Sequence, residues 1–138
     1  MSNEISFMEL YEIARSKYNP RKLSAFIEAG AVSAAILTVA NNVYTGVCID
    51  TSCSLGMCAE RNAVANMITN GEQQISKLVC YTGNNTVGSP CGVCREYLMQ
   101  LDKNSGNIQI LTDSSTMSTV TLKELLPDWW GTGYEVRN

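Results

Sequence analysis

The chain has 138 residues, a formal net charge of -3, six cysteines and no histidine. Its length suits one domain, residues 1–138, that buries roughly two thirds of its unfolded surface without needing disulfides. The acidic balance and the lack of a Lys/Arg run speak against a surface that binds nucleic acid through phosphates, and the missing histidine excludes Ser-His-Asp, Cys-His and imidazole-ligated metal chemistry.

Glu4 to Lys17 places Ile5, Met8 and Ile13 at near-helical spacing, and Asn19-Pro20 stops the pattern, which predicts a first helix. Ala31 to Val39 and Val43 to Ile49 are apolar, β-rich runs around Asn41-Asn42, and they predict a β-hairpin. Neighbouring asparagines tolerate the left-handed conformations such a turn requires. Cys58 to Asn70 carries Ala63, Val64, Met67 and Ile68 on one face and stops at Gly71, the pattern of an amphipathic helix. Ile75 to Thr82 reads as a strand and Gly83 to Ser89 as a loop. Cys91 to Asp102 returns to helical spacing, Ile108 to Thr112 reads as a strand, and Thr119 to Leu122 as a shorter one before a helical turn at Lys123 to Leu126. No internal repeat or linker interrupts this alternation, so an α/β fold with its sheet between helices is the simplest architecture.

The longest apolar stretch, Ala29 to Ala40, is broken by Ser33 and Thr38 and falls short of the ~20 residues a membrane helix needs. The start Met1-Ser2-Asn3-Glu4 lacks the charged, apolar and small-residue succession of an export leader, which makes a cytoplasmic location the expectation. In that reducing setting clustered cysteines read as metal or catalytic thiols rather than as bridges.

The chemistry concentrates in Cys58-Ala59-Glu60 and Pro90-Cys91-Gly92-Val93-Cys94. Both cysteine segments fall where a loop enters a helix, and a helix N-terminus favours the ionised thiol that a metal requires. Cys91 and Cys94 share one helix face, and Cys58 completes a three-thiolate set that leaves zinc a fourth position for water. Zinc brings water near neutral ionisation, and Glu60, on the first turn, stands ready to take and return the proton. Hydroxide attack on an amidine carbon then yields a carbonyl and ammonia. Other readings of the same residues are a structural site closed by Cys48 or Cys53, a redox dithiol at Cys91 and Cys94, or a non-catalytic zinc module. Cys80 reads as a buried inert thiol, Met57 and Met67 as core, and Glu96 and Arg95 as surface charges.

The segments Cys58-Ala59-Glu60-Arg61-Asn62-Ala63 and Ser89-Pro90-Cys91-Gly92-Val93-Cys94-Arg95-Glu96 resemble the small, homotetrameric cytidine deaminase family, including its blasticidin-S-deaminase branch. Ser33-Ala34-Ala35-Ile36-Leu37, Tyr44-Thr45-Gly46 and Leu125-Leu126-Pro127 with Trp129 and Trp130 extend the likeness over most of the chain. The resemblance implies a single cytidine-deaminase-like α/β/α sandwich around a mixed sheet. It implies Zn2+ held by Cys58, Cys91 and Cys94, with Glu60 as proton shuttle and Arg61 bonded to the thiolates. It also implies a small pyrimidine substrate as in pyrimidine salvage, ring contact at the Ala59 backbone, Trp129 or Trp130 over a site of its own or of a neighbouring subunit, and a homotetramer. After Gly46, where nucleoside-specific members carry Asn-x-Glu for the ribose, this chain has Cys48 and Asp50. Deamination of a cytosine-type ring is therefore the expected reaction, with cytidine, deoxycytidine, N4-modified cytidine, blasticidin S and a free base as candidate substrates.

Overall fold

The computed structural model describes residues 3–134. Its first helix, α1 (Phe7–Lys17), starts where Ser6 accepts the Glu9 amide and Glu9 reaches back to the Ser6 amide. That reciprocal cap puts the start later than Glu4, where the apolar spacing alone begins. A two-residue strand, β1 (Arg21–Lys22), precedes the long strand β2 (Glu28–Thr38) and its hairpin partner β3 (Val43–Asp50). Asn41 takes the left-handed conformation between them, with φ 67°.

Helix α2 (Ala59–Thr69) follows, with Cys58 as its cap residue, and then β4 (Ile75–Gly83). The segment expected as a loop over Gly83 to Ser89 instead turns tightly. Asn84 and Asn85 both adopt positive φ, 51° and 58°, and return the chain as β5 (Thr86–Val87) against β4. Helix α3 (Gly92–Met99) is shorter than the expected Cys91 to Asp102. The Asp102 carboxylate accepts the Asn104 amide while Ser105 Oγ accepts the Asp102 amide, a local arrangement that competes with further helix. A 3-10 turn (Ser105–Asn107) leads into β6 (Gln109–Asp113), β7 (Ser118–Thr121) and the short α4 (Leu122–Leu125), whose Thr121 and Glu124 form a second reciprocal cap.

The strands make one sheet running β1-β2-β4-β6-β7, with β3 bonded to β2 and β5 to β4. β4 and β6 run parallel and every other pair antiparallel, which is the mixed sheet the sequence implies. Period-two alternation divides its core. Ala34, Ile36, Leu78, Cys80 and Ile110 face Ala63, Val64, Met67, Leu98 and Leu122, the helices α2, α3 and α4. Ala35, Leu37, Val79, Tyr81 and Leu111 face Leu10, Tyr11 and Ala14 of α1. Helices thus cover both faces. Met67 is buried as expected, whereas Met57 is 37% exposed, because it precedes α2 in the loop and not in the core.

One contact sets where α2 begins. Gly46 of β3 lies under its first turn, and a Cβ there would sit 2.6 Å from the Ala59 carbonyl oxygen and closer still to the Ala63 amide. Asn62 Nδ2 donates to the Val47 carbonyl at 2.7 Å and fastens the same turn to the strand. Gly46→Ala should therefore force helix from strand and destabilise the fold by about 1–3 kcal/mol. Gly92→Ala, where the added Cβ meets open space, should leave the urea midpoint unchanged or slightly raised.

Candidate metal centre and substrate cavity

Cys58 and Cys91 cap α2 and α3 with nearly the same extended backbone, φ/ψ -67/154° and -69/171°. Each side chain thereby points off the start of its helix. Their sulfurs lie 3.6 Å apart, and with the Cys94 sulfur all three fall within 4.8 Å of one another. Sulfurs about 2.3 Å from a tetrahedral zinc stand about 3.8 Å apart, so the trio fits one zinc ion, and thiolates are a donor set that zinc accepts. Among the described residues no other trio of His, Cys, Asp or Glu side chains gathers this way. Cys53 is exposed elsewhere and Cys48 stays outside the trio, so the four-cysteine structural site does not form.

The charged groups around the trio set its thiols apart from one another. Arg61 Nη2 lies 3.6 Å from the Cys58 sulfur, and that hydrogen bond raises the guanidinium's pKa against the effect of its burial. Its Nε is buried without a partner. Burial and then the Glu60 carboxylate push the Cys94 thiol far up, with Arg61 opposing. Burial works the same way on Cys91, but the backbone amides of Cys94 and Val93 and the thiols of Cys94 and Cys58 outweigh it and leave Cys91 below the ordinary thiol value. Cys94 is thus the thiol whose ionisation a bound cation would have to support.

A cavity of about 430 Å³, a size suited to a small organic ligand, is lined by Cys58 and Cys91 of the trio, while Cys94 is buried and does not line it. Glu60, in the first turn of α2 and 5% exposed, lines it together with Ala59 and Arg61. Cys48 and Asp50 line it from β3, so the expected site residues of the hairpin and of both cysteine segments do converge. The Cys48 sulfur accepts the Val32 amide at 3.2 Å and lies 3.9 Å from Asp50 Oδ2. Asp50 also borders a smaller hollow of about 240 Å³ beside Lys22 and Glu28.

Trp129 and Trp130 stand apart. Their indole nitrogens donate to the Glu96 carboxylate at 3.0 and 3.1 Å, and both rings line a separate cavity of about 560 Å³ near the C-terminus. Neither lines the cysteine cavity of its own chain. Glu96 is correspondingly no bare surface charge: the bond from Gln100 and those from the two indoles hold its carboxyl below the usual range. Arg95 is half-buried and bonded within the chain to Pro90, Ser89 and Leu125. Cys80 is buried as expected, and burial followed by the neighbouring Glu60 charge raises its thiol, which keeps it in the unreactive form although it also lines the cavity. The readable signal was its place in β4, on the same face as Leu78.

Comparison with known proteins gives a consistent picture. Residues 6–108 match the family model described as the cytidine and deoxycytidylate deaminase zinc-binding region. The chain is 33% identical over 95 residues to a cytidine deaminase of Mycoplasma genitalium, covering 67% of this chain and 73% of that one. It is 30% identical over 122 residues to a cytidine deaminase of Mycoplasma pneumoniae, covering 86% of each. A crystal structure of a glutamate-to-glutamine mutant of the Mycobacterium tuberculosis cytidine deaminase superposes with a TM-score of 0.74 at 28% identity, covering 93% of this chain and all of that one.

The asymmetry among the thiols is measurable. In protein stripped of metal, iodoacetamide should alkylate exposed Cys91 at least about tenfold faster than buried Cys94, with the Cys91 rate levelling off below the ordinary thiol pKa as pH rises. Peptide mass spectrometry checks both, and added zinc should protect all three sites.

Proposed function

The chain belongs to the cytidine and deoxycytidylate deaminase family, and on that premise we propose that it hydrolyses cytidine and deoxycytidine to uridine and deoxyuridine with release of ammonia. It is a zinc-dependent enzyme. The observation that carries the substrate reading is the gathering of Cys58, Cys91 and Cys94 into one trio, with Cys58, Cys91 and Glu60 lining a single cavity of about 430 Å³.

Cys58, Cys91 and Cys94 hold the zinc, which supplies the Lewis acidity that makes water a nucleophile near neutral pH. Three thiolates exceed zinc's charge by one, and the Arg61 guanidinium offsets that excess from 3.6 Å. Glu60 accepts a proton from the attacking water and delivers it to N3 of the ring as the oxygen bonds to C4. It next takes the remaining hydroxyl proton and gives it to the exocyclic amine, so the C4–N bond breaks with ammonia as leaving group and a C4 carbonyl remains. Burial of Glu60 keeps the carboxylate in reach of the ring and out of bulk water. The Ala59 backbone, at the cavity wall, supports the pyrimidine.

Sugar recognition falls to the β3 edge. Asp50 presents a carboxylate that accepts a sugar hydroxyl, and Cys48, held by the Val32 amide, shapes the wall beside it. A homotetramer is the assembly we infer, supported by the family likeness and by apolar side chains left open on α3 and the tail, among them Val93, Tyr97 and Trp130. In that assembly Trp129 or Trp130 would cover a site other than its own chain's. Among the described residues no helix is long and apolar enough to cross a membrane, and a cytoplasmic role in pyrimidine salvage is consistent with the reduced cysteines the site requires.

Glu60→Ala should retain about one zinc per chain and lose about 10²- to 10⁴-fold in kcat for cytidine, followed by loss of the cytosine absorbance band. Cys58→Ser should lose zinc as well as turnover. Retained activity in the first variant, or undiminished zinc in the second, overturns the assignment. Asp50→Ala should raise KM for cytidine by about tenfold or more while leaving the zinc content intact, and an unchanged KM removes Asp50 from the sugar site.

A further inference from the structure

Cys91 is the most exposed of the three sulfur donors, yet its backbone is held on both sides by one residue. The Cys91 carbonyl accepts the Arg95 amide at 2.9 Å, the first bond of the α3 backbone that any residue at 95 would make, and the Arg95 side chain adds its own hold, Nε donating to the Pro90 carbonyl at 2.8 Å. The two peptide units that flank Cys91, and so set its φ and ψ, therefore both end on Arg95. The rest of the guanidinium reaches further: Nη2 donates to Ser89 Oγ and Nη1 to the Leu125 carbonyl, each at 3.1 Å. Leu125 is the last residue of α4, where helical carbonyls lack partners within the helix. The fork thus joins the loop that delivers Cys91, the helix that carries Cys94 and the segment at the C-terminal side of the fold.

We propose that Arg95 is a positioning residue for zinc retention, fixing the backbone of Cys91 and coupling the metal centre to α4. The proposal rests on the assignment of Cys91 as a zinc ligand. It differs from the role of Arg61, which acts on sulfur charge, because Arg95 bonds backbone carbonyls and a hydroxyl and touches no sulfur. Only a planar group with several donors spans three acceptors on two segments, so lysine retains the charge and loses the clamp.

The test measures zinc release from the loaded full-length protein to an excess of a chromophoric chelator, well below the unfolding temperature. Arg95→Ala and Arg95→Lys should each release zinc about 10- to 100-fold faster than the parent, and Ser89→Ala, which removes one of the three side-chain bonds, should fall between. Lys77→Met serves as the control for general loosening, since Lys77 bonds the Ile5 carbonyl and lies over the Phe7 ring on the α1 side. It should lower the melting temperature without speeding release. If both Arg95 variants release zinc at the parental rate, or only as fast as Lys77→Met, the clamp is overturned while the deaminase reading stands. A parent that binds no zinc overturns both.

Discussion

Two helix starts brought within one ligand spacing govern this structure. Cys58 and Cys91 belong to loops far apart in sequence, and each occupies a cap position, where an oxygen would ordinarily accept helix amides. A sulfur there keeps the favourable field of the amides and remains free to bind a metal. Their 3.6 Å approach holds only if α2 stays seated on β3 and the β4–β5 turn returns the chain toward Pro90. Gly46 secures the first condition by carrying no side chain, and Asn84 and Asn85 secure the second by accepting left-handed backbone. The residues that make the reaction possible are thus more numerous than those that perform it.

Much of this was legible in the sequence because each feature had a local cause. The alternation of Ala34 to Leu37 and of Leu78 to Tyr81 writes the two-faced sheet directly, and the cysteine spacings mark the metal centre. Boundaries were less legible where a side chain competes with the periodic signal. Ser6 and Glu9 delay α1, while Asp102 and Ser105 shorten α3. The Asn84-Asn85 turn carried the same signal as Asn41-Asn42 and went unread because its returning strand has only two residues. Arg95 and Glu96 looked like surface charges since their partners, Leu125 and the two tryptophans, are distant in sequence and found only through the fold.

The substrate side shows the reverse economy. Around the reacting centre the cysteines, Arg61 and Glu60 are tightly grouped. At the β3 edge a thiol and one carboxylate meet the cavity, and the neighbouring hollow past Asp50 leaves that edge open. The cavity is thus closely built around the cysteine donors and Glu60 and left open past Asp50.

The division of the core by the sheet has a practical side. The cysteine donors, Glu60, Cys48 and Cys80 all lie toward α2 and α3, while α1 packs on the opposite face against Ala35, Leu37, Val79, Tyr81 and Leu111. That opposite layer is a chemically silent half of the molecule. Its outer surface is the natural place for surface attachment, a fluorescent reporter or stabilising substitutions, because changes made there reach the reacting centre only through the full thickness of the sheet.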